Sequence, residues 1–205
     1  MAKPTYIAIA AITLDGKIAK HKSHMSDWTS KEDKVFMRAL LDKSDVVIVG
    51  NNTYKTAVAP LSKRNCIVIS RSASAVPPSP SEGRVGERLQ YCLPKKSELL
   101  KILKTNNYKL ITILGGAQTY SFCLQNNLLD ELYLTIEPLV FGEGINLFSA
   151  LFPLPLGEGR GEGFKFKLLS TKKLNKQGSL LLHYKKLEPP EVPADFGFRP
   201  HRAKT

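Results

Sequence analysis

The segment Leu110–Tyr120 reads Leu-Ile-Thr-Ile-Leu-Gly-Gly-Ala-Gln-Thr-Tyr. Two adjacent glycines, Gly115 and Gly116, separate an apolar, β-branched run from a run with helical character. The chemistry open to such a pair is anion binding. A helix that begins directly at a strand end presents unpaired N–H groups and the positive end of its dipole. Glycine lacks a Cβ, so a ligand can approach the backbone closely. On this reading a dinucleotide phosphate rests on Gly115, Gly116, Ala117 and Gln118; the same residues also suit a plain tight connection. A second junction of this kind is Gly50-Asn51-Asn52-Thr53, which follows the apolar run Asp45–Val49. There Thr53 is placed to donate its hydroxyl to a phosphate, with Asn52 beside it. A third apolar run, Cys66–Ile69, ends in Ser70-Arg71. The acidic pair Glu32-Asp33 follows Ser30, a good N-cap, and two acids in a first turn stabilise a helix through its dipole.

Composition bounds what these residues serve. A chain of 205 residues is one domain, or one domain with appendages, and buries a core without disulfides or metals. Hydrophobic content of 42% and charged content of 23% are ordinary for a globular protein. The net charge of +12 is not ordinary. It fits a phosphate-bearing partner, nucleic acid or solubility alone. The lysines are spread out, with no dense basic run and no aromatic-interleaved stripe, so no nucleic-acid partner is expected. Cys66, Cys92 and Cys123 are odd in number and far apart, as in a reducing compartment. His21 and His24 have no third ligand nearby in sequence, and no metal site is expected. Tyr6–Ile12 runs into Leu-Asp-Gly-Lys with no cleavage site, and no apolar run approaches the roughly 20 residues that span a bilayer. These features predict a cytoplasmic protein with no membrane partner.

The elements that must hold these residues follow from periodicity. Strands are predicted over Tyr6–Ile12, Asp45–Gly50, Cys66–Arg71, near Leu89–Cys92, and over Leu110–Leu114 and Leu128–Pro138. Helices are predicted over about Lys31–Leu41, with Val35, Phe36, Ala39 and Leu40 on one face, from Asn51, over Lys96–Thr105 and from Ala117. Phe164–Thr171 and Ser179–Lys185 read as an antiparallel hairpin turning near Asn175–Gly178. Low-complexity Pro/Gly-rich stretches at about 72–88 and 153–163 read as surface insertions, and 188–205 as a disordered tail. Strands alternating with helices, then two strands joined without one, predict an α/β fold with an antiparallel edge. The domain is expected to span residues 1–187.

Leu14-Asp-Gly-Lys-Ile-Ala19, Trp28-Thr-Ser-Lys-Glu-Asp33, Val49-Gly-Asn-Asn-Thr-Tyr54, Leu114-Gly-Gly-Ala117, Asp130-Glu-Leu-Tyr-Leu-Thr-Ile-Glu-Pro138 and Phe141-Gly-Glu-Gly144 occur in this order. Together they resemble the superfamily of dihydrofolate reductases and the C-terminal reductase domain of the riboflavin-biosynthesis deaminase-reductase. The resemblance covers about Lys3 to Lys186. It implies a three-layer αβα, dihydrofolate reductase-like mixed sheet with NADPH across the strand ends. It implies that Gly115 and Gly116 meet the cofactor, with a cis peptide between them in the dihydrofolate reductase branch. Gly50 and Thr53 would line the pyrophosphate. Trp28 would contact NADPH, while Ser70 and Arg71 would lie near its 2′-phosphate. The loop Thr13–Asp27, with Thr13, Asp15 and Ser26 toward substrate, would close over the nicotinamide.

The resemblance leaves two substrates. Leu14–Ala19 and Asp130–Pro138 look like the riboflavin-type domain, a 5-amino-6-(5-phosphoribosylamino)uracil reductase. Lys55-Thr-Ala-Val-Ala-Pro-Leu61 departs from that domain's Asp-Asp-Pro-x-Leu stretch, and Leu114 stands where it often has Glu. In dihydrofolate reductases one carboxylate on the first helix binds the pterin and promotes its protonation. Asp33 is the candidate here and Glu32 the alternative. The riboflavin-type branch implies a homodimer and most dihydrofolate reductases a monomer. An alternative of another class is a non-catalytic nucleotide- or nucleic-acid-binding protein.

Overall fold

The computed structural model describes residues 3–70, 88–92, 96–148 and 163–188, with backbone alone at 88–92. The expected insertions and tail, and Arg71, lie outside these residues apart from positions 88, 163 and 188.

Four short runs of Val, Ile, Ala and Cys form the centre of one sheet. They are β1 (Thr5–Thr13), β3 (Val46–Gly50), β4 (Cys66–Ser70) and β6 (Leu110–Ile113). Their side chains are covered on both faces, which is why they read as continuous rather than alternating apolar runs. With β5 (Arg88–Cys92), β7 (Glu131–Glu137), β9 (Phe166–Lys173) and β10 (Leu180–Lys186) they form eight strands in the order β5-β4-β3-β6-β1-β7-β10-β9. The first six in that order are parallel, and β10 and β9 are antiparallel, as the hairpin pattern predicted. A two-stranded piece, β2 (Lys17–Ala19) with β8 (Ile145–Asn146), lies inside what reads in sequence as two loops.

Helices α1 (Lys31–Lys43), α2 (Asn51–Thr56) and α3 (Val58–Leu61) cover one face, where Leu41, Tyr54 and Leu61 pack with Ile9, Val47, Val49 and Leu114. Helices α4 (Lys96–Thr105) and α5 (Ala117–Gln125) cover the other, where Leu99, Leu103 and Cys123 pack with Ala8, Ile48 and Ile111. The result is the three-layer α/β fold that the resemblance implied.

The predicted face of α1 needs correction. Val35 is exposed and so is Ala39, while Asp33 and Leu41 are buried and Phe36, Met37 and Leu40 pack on the core. The inward stripe therefore runs 33, 36/37, 40/41, one step off the stripe drawn from Val35, and it carries a carboxylate at its start. The cis peptide that the dihydrofolate reductase branch implied between Gly115 and Gly116 is not found: all peptide bonds among the described residues are trans.

Two features of the topology make a site. The chain steps from β1 outward through β3, β4 and β5, then returns to place β6 between β3 and β1. Open parallel sheets bind ligands at the carboxyl ends of strands flanking such a reversal. β1 also outruns β6: their last pair is Ala8 with Ile113, whereas β1 stays paired with β7 through Thr13 and Glu137. At about 3.3 Å per residue the overhang is roughly 16 Å. A notch is left above the end of β6, walled by β1 and β7 on one side and by the glycine junctions on the other.

Candidate active site

The glycine wall is one unit. The Gly50 N–H donates to the Gly115 carbonyl at 2.9 Å, and the Leu114 N–H to the Ile48 carbonyl at 2.9 Å. Thr53 Oγ1 accepts from the Gly116 N–H at 3.0 Å. A Cβ on Gly50 would stand 2.8 Å from Thr119 Oγ1, and one on Gly116 would stand 3.3 Å from Thr53 Oγ1. Gly115 has φ +69°, a conformation that favours glycine, and its missing Cβ leaves room for Tyr120, whose hydroxyl donates to the Ile9 carbonyl at 2.5 Å.

This arrangement refines the anion-turn reading. The Gly116 N–H is used by Thr53, so the donors left at the α5 N-terminus belong to the next helix positions, Ala117 and Gln118. Thr53 accepts with its oxygen and retains its proton for an outward donor role. Asn51 Oδ1 is buried without a hydrogen-bond partner among the described residues, an acceptor at the same junction. Asn52 is exposed and Ser70 is buried at the end of β4. Donors at α5, a hydroxyl, an orphaned acceptor and Cβ-free walls fit a dinucleotide.

The opposite wall is acidic. On β7, period-two alternation places Glu131, Tyr133, Thr135 and Glu137 on the face under α1. Phe36 meets Tyr133 with ring centroids 5.2 Å apart. Tyr133 stacks on His183 at 4.0 Å, and His183 Nε2 lies 2.9 Å from Glu131 Oε2. One turn nearer the α1 N-terminus, Asp33 lies beside Thr135 and Thr29 with only 6% of its surface exposed. Burial raises its proton affinity above that of an ordinary aspartate. The Thr135 and Thr29 hydroxyls oppose that shift, and the Glu137 carboxylate adds to it. Thr135 Oγ1 is buried without a hydrogen-bond partner among the described residues, and Asp33 is its polar neighbour.

Glu137 is 3% exposed and fully engaged. Its Oε1 accepts from the Ser30 N–H at 2.7 Å, and its Oε2 accepts from the Ser179 hydroxyl. Ser30 Oγ in turn accepts from the Asp33 N–H at 3.2 Å and caps α1. Asn175 Nδ2 lies 2.9 Å from Ser179 Oγ and 3.3 Å from Glu32 Oε2. Glu32 is exposed and Asp33 is buried, because the two point to opposite sides of one turn. Trp28, Ser30, Glu32, Glu137, Leu139 and Asn175 border an open groove of about 460 Å³.

The residues proposed to face substrate divide. Asp15 is half-buried; its Oδ1 accepts from the Thr13 hydroxyl and from the Phe141 N–H, and its Oδ2 from the Gly142 N–H at 2.9 Å. These bonds hold its carboxyl below the usual range, the Thr13 hydroxyl most of all. Thr13 is fully buried and also accepts from the Lys17 N–H at 2.9 Å. Both residues therefore tie the 13–17 turn to the 139–142 loop. Ser26 is exposed at the head of a 3-10 turn, Ser26–Trp28. Trp28 packs edge-on against Phe141 at 5.1 Å, and His24 does so at 5.3 Å.

Glu137, Thr135 and Ser179 were not singled out in the sequence. The available signal was a carboxylate on the inward register of an otherwise half-buried strand, two residues after a threonine. The described residues hold no cluster of three His, Cys, Asp or Glu suited to a metal, and no helix long and apolar enough to cross a membrane.

Comparison with known proteins follows the same lines. The model of the RibD C-terminal domain matches residues 4–66 and 84–177. The uncharacterized protein YwjB of Bacillus subtilis (strain 168) is 28% identical over 159 residues, 74% of this chain and 86% of YwjB. RibD of Acinetobacter baumannii superposes with a TM-score of 0.69 at 20% identity, covering 90% of this chain and 58% of that one. A pyrimidine reductase-like protein from Corynebacterium diphtheriae gives 0.68 at 17% identity, covering 91% and 93%. Dihydrofolate reductase from Enterococcus faecalis, complexed with NADP(H), gives 0.59 at 18% identity, covering 90% and 97%. The structural likenesses, all at low identity, establish the fold.

Proposed function

The chain belongs to the RibD C-terminal domain family, and from that premise we infer that it is an NADPH-dependent reductase of a small heterocycle. The lead substrate is a riboflavin-pathway aminopyrimidine of the 5-amino-6-(5-phosphoribosylamino)uracil type. The observation that carries the reading is the placement of Asp33. It is the one buried acid of the Glu32-Asp33 pair, and it stands at the carboxyl-end edge across the notch from the glycine wall.

Each wall has a task on this reading. Ala117, Gln118, Thr53, Gly50 and Ser70 hold the phosphates and ribose, with Trp28 and Asn52 at the rim and Arg71 at the 2′-phosphate. Bound there, NADPH supplies hydride. Asp33 holds a proton at its carboxyl and aligns the amino-substituted edge of the ring, with Thr135 as second hydrogen-bonding group. Thr13 and Asp15 fix the loop that shuts water out, and Ser26 lies on that loop. Positioning of donor against acceptor supplies most of the rate.

Dihydrofolate reduction is the second reading, and the Asp33–Thr135 neighbourhood favours it, because a carboxylate with an adjacent hydroxyl suits the amidine edge of a pterin. NADPH oxidation at 340 nm, about the usual wavelength for a nicotinamide, decides between them. Oxidation with the aminopyrimidine and not with dihydrofolate is expected. The reverse result replaces the lead by the second reading. Turnover of neither, together with salt-steep duplex binding, replaces both by the nucleic-acid reading.

A further inference from the structure

We propose that Glu137 is a positioning residue for Asp33: it clamps the first turn of α1 through the Ser30 N–H and sets a second buried carboxylate beside the Asp33 carboxyl. The inference takes its functional meaning from the reading of Asp33 as the proton-holding group.

Glu137 sits at the last residue of β7, on the same face as Thr135 and under the α1 N-terminus. A glutamate so deeply buried must have its lone pairs used. Here they are used by the Ser30 N–H and the Ser179 hydroxyl. Both donors point at its carboxyl oxygens and fix the orientation of the Glu137 side chain. Ser30 is also the cap whose Oγ accepts from the Asp33 N–H. Glu137 therefore fixes where the Asp33 turn begins and, by like-charge proximity, opposes its ionisation.

Among the described residues the one cation that opposes this arrangement is Lys34, and it is the smallest of the influences on Asp33. Around Asp33 stand Glu137 and Thr135 from β7, Tyr120 from α5, Thr29 ahead of α1, and Glu32 and Lys34 on α1 itself. Of these only Lys34 is cationic, and its Nζ donates outward to the Asp27 carbonyl at 3.3 Å. β1 contributes Ile9, whose carbonyl is taken by Tyr120, and Thr13, which is taken by Asp15 and Lys17. Ser179, ahead of β10, adds a neutral hydroxyl.

The test is a carbon-13 titration of aspartate and glutamate carboxyl groups in the whole protein without cofactor. In the unmodified chain the Asp33 signal is expected to titrate above the exposed aspartates. Glu137→Gln keeps an oxygen for the Ser30 N–H and removes the charge. Its Asp33 midpoint is expected to move down toward the exposed aspartates. Glu137→Asp keeps the charge, so its midpoint is expected to stay high. An Asp33 midpoint unmoved by Glu137→Gln, or one that falls among the exposed aspartates in the unmodified chain, overturns the proposal. If Glu137→Gln does not fold, the unmodified chain still decides. In NADPH oxidation, the alkaline-side limb of the Glu137→Gln pH–rate profile, where the protonated Asp33 is lost, is expected to move down with the Asp33 midpoint. Absence of NADPH oxidation defeats the proposed function and leaves the carboxyl titration standing on its own.

Discussion

At the scale of single residues, Asp33 shows how a site departs from what stability alone would select. A carboxyl under α1 beside Thr135 is costly to ionise. Its folded-state proton affinity lies above its unfolded one, so the associated stability is full below the unfolded pKa and declines as pH rises through the folded pKa. Asp33→Asn cannot ionise and escapes that decline. Thermal melts from acid to neutral pH are expected to show the variant melting above the parent at neutral pH, with the gap closing toward acid. Equal gaps at both ends would remove Asp33 as the source. Thr53 makes the complementary case. Thr53→Val leaves the Gly116 N–H without its acceptor and should cost about 1–3 kcal/mol, read from urea unfolding, whereas Thr53→Ser should stay near the parent.

At the scale of elements, α1 and the hairpin depend on each other. The first turn of α1 is held from within by the Ser30 cap and from outside by Glu137, Ser179 and Asn175. Asn175 itself orders the turn before β10, accepting from the Gly178 and Ser179 N–H groups at 3.0 and 3.1 Å. Ser30→Ala should therefore cost about 1 kcal/mol, the usual value of a lost cap. Hydrogen exchange should show faster exchange at the Asp33 amide, with β3 and β6 unchanged. The loops follow the same logic. Asp15 is a half-buried acid whose bonds join the 13–17 turn to Phe141 and Gly142. Asp15→Asn should speed proteolysis within 13–28 while leaving the melting temperature nearly unchanged, since exposed loop contacts contribute little to global stability.

At the scale of the whole molecule, the fold leaves its notch where strand order reverses and where β1 and β7 outrun β6. Neither wall is a pocket by itself. A dinucleotide that spans the wall of Gly50 and Gly116 should stabilise the folded chain by mass action. At a hundredfold excess over its dissociation constant the gain is about 2.7 kcal/mol. A rise in melting temperature with NADPH, smaller with NADH, is the expected outcome. An equal rise with both would argue against a 2′-phosphate contact. The net charge of +12 favours approach of anionic ligands, so the NADPH effect should weaken as salt increases.

Much of this architecture is legible in the chain alone. Apolar β-branched runs ending in glycine mark β3 and β6 because parallel strands are covered on both faces. The Ser30 cap marks the start of α1, and the Asn175–Gly178 turn marks the hairpin, because both are local chemistry. Tertiary structure alone decided which acid points inward, since Val35 drew the helical stripe one step away from Asp33. It alone showed that Thr53 serves Gly116, 63 residues away in sequence, and that Thr13 and Asp15 hold a loop. Glu137 is the sharpest instance. In sequence it ends a half-buried strand, and its meaning arises only when Ser30, Asp33 and Ser179 are packed around it. Local propensity is written in neighbours along the chain, whereas proton affinity is set by neighbours in space.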